Sequence, residues 1–288
     1  MPSNSQTNEM LHYPPDARLL ILNTDDFGMC HSINEAVIQS IREGVASSCT
    51  LMVPCPWGMH GIHLLQENSD ISFGVHLTAV SEAVYYRWGP VSPKEKVPSL
   101  VDEAGYFYSE ERIPEFLAQV NLAELELEFR AQIEAVLAAG LKPTHLDSHC
   151  GVHTRREDVF DMTVGLVREY GLAVRVTKQP LIAKIKRHGL PTPASDILDS
   201  YRIETHDKPA YYFRGLRKLP AGLTEWAIHP SLVTNELKAI GDSWPVRQAD
   251  FEFLMSPETR AIIKQEGIIV LNYKTLQELW QAKTAAKS

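Results

Sequence analysis

The sequence predicts an α/β protein with a distorted, barrel-like (β/α) fold. Short apolar runs with the character of buried strands alternate with amphipathic segments along the whole chain, and most of the links between them are brief. This alternation indicates a parallel sheet covered by helices. Residues able to do chemistry recur at the ends of the strands, which favours a barrel over an open sheet.

The composition narrows the classes of function. Of the 288 residues, 44% are hydrophobic and 22% are charged, as in ordinary globular proteins, and the net charge of -8 argues against nucleic acid as a partner. No apolar run approaches the roughly 18 residues that span a bilayer, and the N-terminus lacks an apolar signal core. Four cysteines without a CxxC pair indicate reduced thiols. We therefore expect a cytoplasmic protein that acts on no membrane.

The chain is expected to hold one domain. Residues 1–17, with Pro14 and Pro15, have the composition of a flexible tail. No stretch within 18–285 reads as a linker, so we expect that range to form a single domain.

The elements of the first half follow from local patterns. Residues 19–22 are all apolar and predict the first strand. The next helix, over 32–43, begins with a capping box formed by Ser32 and Glu35. The elements that follow are a strand over 45–53, a helix over 57–68 and a strand over 71–77.

The second half is interrupted by a long segment over 79–112 that is rich in proline and aromatic residues. Loops of this length are usually functional, so the aromatic residues either line a substrate wall or cover a small core of their own. Residues 178–220 have no assigned elements. The remaining predicted elements are helices over 113–139, 156–170, 248–265 and 274–283, and strands over 144–149, 173–177, 226–228 and 267–273.

Two adjacent carboxylates, Asp25 and Asp26, stand where the first strand gives way to a helix. This edge of an α/β sheet is where ligands bind. Neighbouring strand residues point to opposite faces, so the two carboxylates need not share a role. The alternative is that both are solvated turn residues.

Histidines at two further strand ends, His76 and His149, complete a candidate metal site with Asp26. One carboxylate and two imidazoles suit a divalent cation such as Zn, Fe, Mn or Mg, with positions left open for water and substrate. Their separations along the chain are long, so the support comes from the chemistry of the ligands rather than from spacing.

The same strand ends carry groups suited to proton transfer. Asp25 could act as a general base on a water, and His229 could protonate a leaving group. Arg175 could keep the base ionised through charge pairing.

The stretch 144–149 places more polar groups nearby. If it is extended, His145, Asp147 and His149 face the same way. We predict that His145 and Asp147 orient the ligands or the base.

Five motifs together resemble the YdjC-like carbohydrate deacetylases, a family that includes the chitooligosaccharide deacetylases. The motifs are NTDDFG at 23–28, GVHLT at 74–78, PTHLDSH at 143–149, the Arg175 strand followed by KQP at 178–180, and IHP at 228–230. They run in order from about residue 18 to 280.

The resemblance implies a barrel-like fold of the polysaccharide deacetylase type and removal of an N-acetyl group from a small acetylated mono-, di- or oligosaccharide, with release of acetate. It implies one divalent metal ion, Mg²⁺ or Zn²⁺, on Asp26, His76 and His149, with Asp25 as base and His229 as acid. It also implies a homodimer. In one respect the chain departs from the family, since Cys150 follows His149 where many members have a denser histidine run.

Two other functions compete with this interpretation. A phosphoesterase could use the same metal site, but phosphate esters usually require Lys or Arg near the metal, and near the motifs the chain offers mainly Arg175 and Lys178. A non-catalytic sugar-binding relative is the third hypothesis. A pure binder has no need of a base and an acid together, which argues against it.

Overall fold

A computed structural model of the chain describes residues 6–285. Parallel strands form its centre and helices cover them. The strands are β1 (Arg18–Phe27), β2 (Ser48–Leu51), β3 (Phe73–Leu77), β4 (Val80–Ser81), β5 (Tyr108–Ser109), β6 (His145–Ser148), β7 (Ala173–Val174), β8 (Leu198–Asp199), β9 (Gly222–Ile228) and β10 (Ile269–Leu271). The helices are α1 (Gln6–Met10), α2 (His31–Arg42), α3 (Gly58–Glu67), α4 (Ile113–Gln119), α5 (Leu122–Ala138), α6 (Glu157–Tyr170), α7 (Gln179–Arg187), α8 (Lys208–Arg217), α9 (Asn235–Ile240), α10 (Trp244–Met255), α11 (Pro257–Gln265) and α12 (Tyr273–Ala285).

The main sheet has the strand order β7-β6-β3-β2-β1-β9-β8, and its ladders are parallel. Strand β1 lies at the centre: β9 runs along one side, and on the other side β10 pairs with residues 19–21 and β2 with residues 23–27. Helical connections suit parallel pairing, because a parallel neighbour can be reached only by a crossover.

The sheet is strongly curled. Arg175, which follows β7 near one edge, lies 2.6 Å from Asp25 of β1 and 2.7 Å from Glu225 of β9. Side chains from strands distant in the sheet order therefore meet on its concave face. The structure confirms the predicted α/β, barrel-like fold and shows it as a half-barrel surrounded by helices.

Both faces of the central strand are buried. Leu19 and Ile21 belong to the larger apolar cluster, while Leu20 and Leu22 pack in a second cluster with Phe253 and other residues of α8, α10 and α11. This alternation is the two-residue period of a strand covered on both sides. Within residues 6–285, no helix is long and apolar enough to cross a lipid bilayer.

Several predicted elements differ in their limits. The helix expected over 113–139 is two helices, because Asn121 caps α5 by accepting hydrogen bonds from the amides of Ala123 and Glu124. The helix expected over 248–265 is likewise divided, because Ser256 caps α11 and Pro257 opens it.

The predicted capping box does not form. Helix α2 begins at His31 with Cys30 at its N-cap, and no side chain caps it. Ser32 lies inside the helix instead, where it is buried and 3.3 Å from the Cys30 thiol.

The stretch 1–17, expected to be a flexible tail, contains helix α1 in its described part, while residues 1–5 lie outside the described range. Helix α1 buries Thr7 and Asn8. The Thr7 hydroxyl donates to the Thr192 carbonyl, and the Asn8 amide donates to the carbonyls of Pro14 and Ala17. A helix of five residues is too short for the amphipathic pattern from which helices are predicted, and these side-chain bonds hold it in place instead.

The two segments without clear sequence patterns are also built into the fold. In the 79–112 segment, Trp88 and Phe107 are buried in the main apolar cluster, whereas Tyr85 is 95% exposed. The 178–220 segment contains helices α7 and α8, with the short strand β8 between them.

Candidate functional site

A cavity of about 370 Å³ opens at the carboxyl ends of the strands. Its wall contains Asp25 and Asp26 from β1, His76 from β3 and Ala227 from β9, and His149 just after β6. The topology therefore brings together the strand ends that the sequence marked, as expected for ligand sites of α/β folds.

A backbone irregularity lets both β1 carboxylates face this cavity. The register between β1 and β2 shifts between Thr24 and Phe27, and Asp26 adopts a left-handed conformation with φ 67°. A bulge of this kind re-aims a side chain that would otherwise point to the opposite face. Neighbouring side chains of a regular strand point to opposite faces, but at Asp26 this alternation is broken. Asp25 and Asp26 therefore both reach the cavity.

Asp26, His76 and His149 form a compact group of three candidate metal ligands. Asp26 Oδ1 lies 3.2 Å from His149 Nδ1 and 3.5 Å from His76 Nε2. All three side chains are almost completely buried. Burial alone would raise the pKa of Asp26, but Arg247 and the two histidines hold it well below its ordinary value. The carboxylate is thus an anion facing two imidazole nitrogens.

A divalent cation fits these residues. His149 Nδ1 and His76 Nε2 both face Asp26 Oδ1, so one oxygen and two nitrogens converge on one place. Asp147 Oδ1 lies 2.7 Å from His76 Nδ1, so a proton on Nδ1 leaves Nε2 free to coordinate. Carboxylate oxygen with imidazole nitrogen is a donor set of Zn, Mn and Fe sites, and Mg is bound by carboxylates with water.

The second β1 carboxylate is held by a buried arginine. Arg175 Nη1 and Nη2 donate to the two oxygens of Asp25 at 2.6 and 2.8 Å. Burial raises the pKa of Asp25, and the guanidinium more than offsets this, so the net pKa lies below the ordinary value. Asn23 also donates to Asp25, at 2.8 Å. The Asp25 carboxylate is therefore ionised and held in a fixed orientation.

Arg175 links further acidic groups into one network. It donates to Glu225 at 2.7 Å, and its Nη1 lies 2.7 Å from Asp147 Oδ2 in an ion pair without the alignment of a hydrogen bond. The Tyr273 hydroxyl donates to the other oxygen of Glu225 at 2.5 Å. One arginine thus positions Asp25 directly and His76 through Asp147.

His229 lies near the same carboxylate oxygen that Arg175 Nη1 contacts. Its Nε2 lies 3.9 Å from Asp25 Oδ2, and its Nδ1 lies 2.8 Å from the Ser200 hydroxyl. The backbone N–H of His229 donates to Asp250 at 3.0 Å. This imidazole is held at two points while Nε2 faces the cavity.

Neither His145 nor Asp147 lines the cavity. His145 lies deeper along β6, with its ring stacked on Tyr273 at 3.5 Å and its Nδ1 3.0 Å from the Thr144 hydroxyl. Its position on a regular strand, two residues before Asp147, explains this depth.

The residues after His149 form a tight left-handed turn. Cys150 and Gly151 have φ values of 52° and 62°. The turn returns the chain so that His153 Nδ1 lies 2.6 Å from the Ser148 hydroxyl and Nε2 3.0 Å from the Arg175 carbonyl. His153 therefore supports the backbone of Arg175.

Sequence reasoning did not identify Glu82, Arg247, Glu225 or Tyr201 as site residues. Arg247 donates to Asp26 Oδ2 at 2.7 Å, and Glu82 lies 3.5 Å from His149 Nε2. Both come from segments with no recognisable motif. An arginine that α10 buries completely is a signal, but only a structure reveals it.

Comparison with known proteins gives a consistent result. The profile of the family described as YdjC-like protein matches residues 19–265. A carbohydrate deacetylase of Enterococcus faecalis is 29% identical over 273 residues, covering 89% of this chain and 97% of the relative. A carbohydrate deacetylase of Thermus thermophilus is 33% identical, covering 86% of this chain and 90% of the relative.

A solved structure is similar over nearly the same length. It is a protein of Enterococcus faecalis named for cellobiose-phosphate cleavage. It superposes with a TM-score of 0.77 at 28% identity, and the match covers 90% of this chain and 99% of that one. The chain belongs to the YdjC-like protein family.

Proposed function

We propose that this chain is a metal-dependent hydrolase that removes an N-acetyl group from a small acetylated sugar and releases acetate. The observation that carries the proposal is the pairing of an ionised Asp25 with His229, 3.9 Å apart, beside the Asp26, His76 and His149 group. The name carbohydrate deacetylase, shared by its relatives, supports the same reaction.

The proposed reaction divides the work among few residues. A divalent cation, Zn²⁺ or Mg²⁺, held by Asp26, His76 and His149 would polarise the acetyl carbonyl and acidify the attacking water. Asp25 accepts a proton from that water as the water oxygen bonds to the carbonyl carbon. His229 Nε2 donates a proton to the amide nitrogen as the C–N bond breaks, so acetate and a free amino sugar leave.

Arg175 has a supporting role in this scheme. Its two bonds to Asp25 keep the base ionised and aim it at one position. The lowered pKa makes Asp25 a weak base, which suits a water that is already acidified. Asp147 and His145 act from outside the ligand group. Asp147 orients His76, and His145 acts through its stack on Tyr273.

We also propose that the sugar carries a negatively charged group. Arg155, Lys178 and Arg202 line the cavity, with Glu82, Glu110 and Asp199 in the same wall. Burial and the guanidiniums of Arg155 and Arg202 lower the pKa of Lys178. These cations would attract a phosphate group on the sugar. The name of the Enterococcus faecalis structure, which refers to cellobiose phosphate, agrees with this preference. A phosphoesterase on the same metal site is the second candidate, because the same cations could bind the reacting phosphate.

The test is product analysis with chelator-treated protein restored with single metals. The substrates are N-acetylated mono- and disaccharides, each with and without a phosphate ester, and both acetate and inorganic phosphate are measured. We expect metal-dependent acetate release and faster turnover of the phosphorylated sugars. Phosphate release without acetate would replace the proposal by a phosphoesterase. Neither product, with metal bound, would favour a sugar-binding protein.

Two variants separate the roles of the aspartate and the histidine. Asp25→Asn is expected to keep metal binding but lose at least about 100-fold in acetate release, since general base catalysis contributes 10²–10⁴-fold. His76→Ala is expected to lose the metal. Metal content after gel filtration and the rate of acetate release are the two measurements. Near-normal acetate release by Asp25→Asn would show that Asp25 is not the general base.

Three features of the chain stay predictions. A cytoplasmic location agrees with four cysteines that are free thiols. Sedimentation would test the predicted homodimer, and limited proteolysis would test the predicted single domain over 18–285.

A further inference from the structure

The second buried arginine of the site, Arg247 on α10, is 1% exposed and lies beside the metal ligands. Its Nη2 donates to Asp26 Oδ2 at 2.7 Å and lies 3.4 Å from Glu82 Oε1. The ring of Tyr201 covers the guanidinium, with its centroid 5.5 Å from the central carbon. Burying a charge this thoroughly is costly, and the two carboxylates offset the cost.

The contact to Asp26 determines which oxygen can bind a cation. Oδ2 is occupied by Arg247, whereas Oδ1 faces the nitrogens of His149 and His76. A carboxylate held in this way offers a single oxygen at a fixed place. Arg247 thus selects one ligand atom from the two that Asp26 has.

Glu82 extends the arrangement to His149. Its Oε2 lies 3.5 Å from His149 Nε2, the buried nitrogen without a hydrogen-bond partner in the described chain. When His149 Nδ1 faces a cation, Nε2 carries the ring proton, and a small shift of the Glu82 carboxylate would let it accept that proton in a hydrogen bond. Asp147 stands in the same relation to His76.

We propose that Glu82 and Arg247 form a positioning pair for the metal site, in which Arg247 aims Asp26 and Glu82 aims His149. The pair mirrors Asp147 and Arg175, which serve His76 and Asp25. Outer carboxylates that fix the ring of a ligating histidine change metal affinity by 10–100-fold when they are removed. The inference rests on the metal site of the proposed function.

The experiment measures cation affinity without any sugar. Chelator-stripped protein is titrated with Zn²⁺ against a chromophoric chelator, and the urea midpoint is measured in excess chelator. Glu82→Gln and Arg247→Lys are each expected to weaken Zn²⁺ binding about 10-fold or more. Glu82→Gln is nearly isosteric at a partly exposed side chain, so it keeps the test valid if Arg247→Lys fails to fold.

The matched control is Glu128→Gln. Glu128 is buried and accepts bonds from the amides of Val91 and Ser92, so it holds the long segment rather than the ligands. It should lower the urea midpoint and leave Zn²⁺ affinity unchanged. Affinities of Glu82→Gln within twofold of the unmodified protein would overturn the proposal. So would a loss as complete as that of His76→Ala, because Glu82 would then be a ligand. Missing acetate release would count only against the proposed function.

Discussion

Asp26 shows how one residue can depend on a strained backbone to reach its site. A left-handed conformation at a residue other than glycine costs of order 1–3 kcal/mol, and it persists where the surroundings determine it. Here Arg247 and two imidazoles hold the side chain of Asp26 on the cavity side. The strain therefore lies at one of the three residues of the proposed metal site.

His145 provides a pH-dependent signature at the residue scale. Burial, offset only in part by Asp147, lowers its pKa to about 3, from 6.5 in the unfolded chain. Between these values the unfolded chain binds the extra proton, so the stability is fully present above pH 6.5 and falls as the pH falls. At pH 5 the loss amounts to about 2 kcal/mol of unfolding free energy, at 1.36 kcal/mol per pH unit.

The check is urea unfolding of the unmodified protein and of His145→Gln at pH 7.5 and pH 5, both in chelator. We expect the unmodified protein to lose about 2 kcal/mol more than the variant between the two pH values. Equal losses would show that His145 takes up a proton inside the folded protein. His153→Gln serves as a comparison, because burial lowers the pKa of His153 to about 4.

Helix α10 connects the two halves of the site at the scale of one element. Arg247 and Asp250 are three residues apart and share one helix face. Arg247 contacts Asp26 near the proposed metal, and Asp250 accepts from the backbone of His229. The helix therefore aligns the proposed acid with the ligand group. Its apolar residue Phe253 packs beneath the sheet in the second cluster.

A buried ion pair joins α10 to α8. Lys208 Nζ and the Tyr212 hydroxyl both donate to Asp250 Oδ1 at 2.6 Å, and Lys208 and Asp250 are fully buried. Asp250→Asn leaves an ammonium without its counter-charge, so we expect the free energy of unfolding to fall by about 3–5 kcal/mol. Urea denaturation measures this change.

The matched variant is Lys208→Met with Asp250→Asn, which removes both charges. Replacing a buried pair by uncharged groups is often close to neutral, so the double variant should recover most of the loss. If the double variant were as unstable as the single one, the loss would come from altered packing and not from an unpaired charge. The rate of acetate release in the double variant would then test the alignment of His229.

The curl of the whole sheet is what assembles the site. Residues from β1, β3, β6, β7 and β9 meet although they are spread over 205 positions from Asp25 to His229. The Arg175 network ties both sides of the half-barrel together. A cation that binds only the folded protein should therefore stabilise the molecule as a unit.

Metal removal is the test at this scale. A cation present at 100 times its Kd adds about 2.7 kcal/mol of stability, which for a chain of this size corresponds to roughly 4–5 °C in Tm. We expect chelator to lower Tm by that amount and one added metal to restore it. His76→Ala should show no such shift. A chelator effect of the same size in His76→Ala would place the bound cation elsewhere.

Local patterns predicted the alternation of strands and helices and the strand ends that carry Asp25, Asp26, His76, His149 and His229. These predictions succeed because apolar runs and strand-terminal polar residues are local features. The limits of elements were less certain. A single cap at Asn121 or Ser256 ends one helix and starts another, and such breaks depend on a few hydrogen bonds.

By itself, the sequence determined the α/β alternation, the family, and the chemistry available at the strand ends. Only the tertiary structure decided which side chains surround that chemistry. The bulge that turns Asp26 into the cavity, the depth of His145, and the approach of Glu82 and Arg247 all arise from contacts between distant segments. Such contacts depend on the curl of the sheet and the docking of α10, which no local pattern of residues encodes.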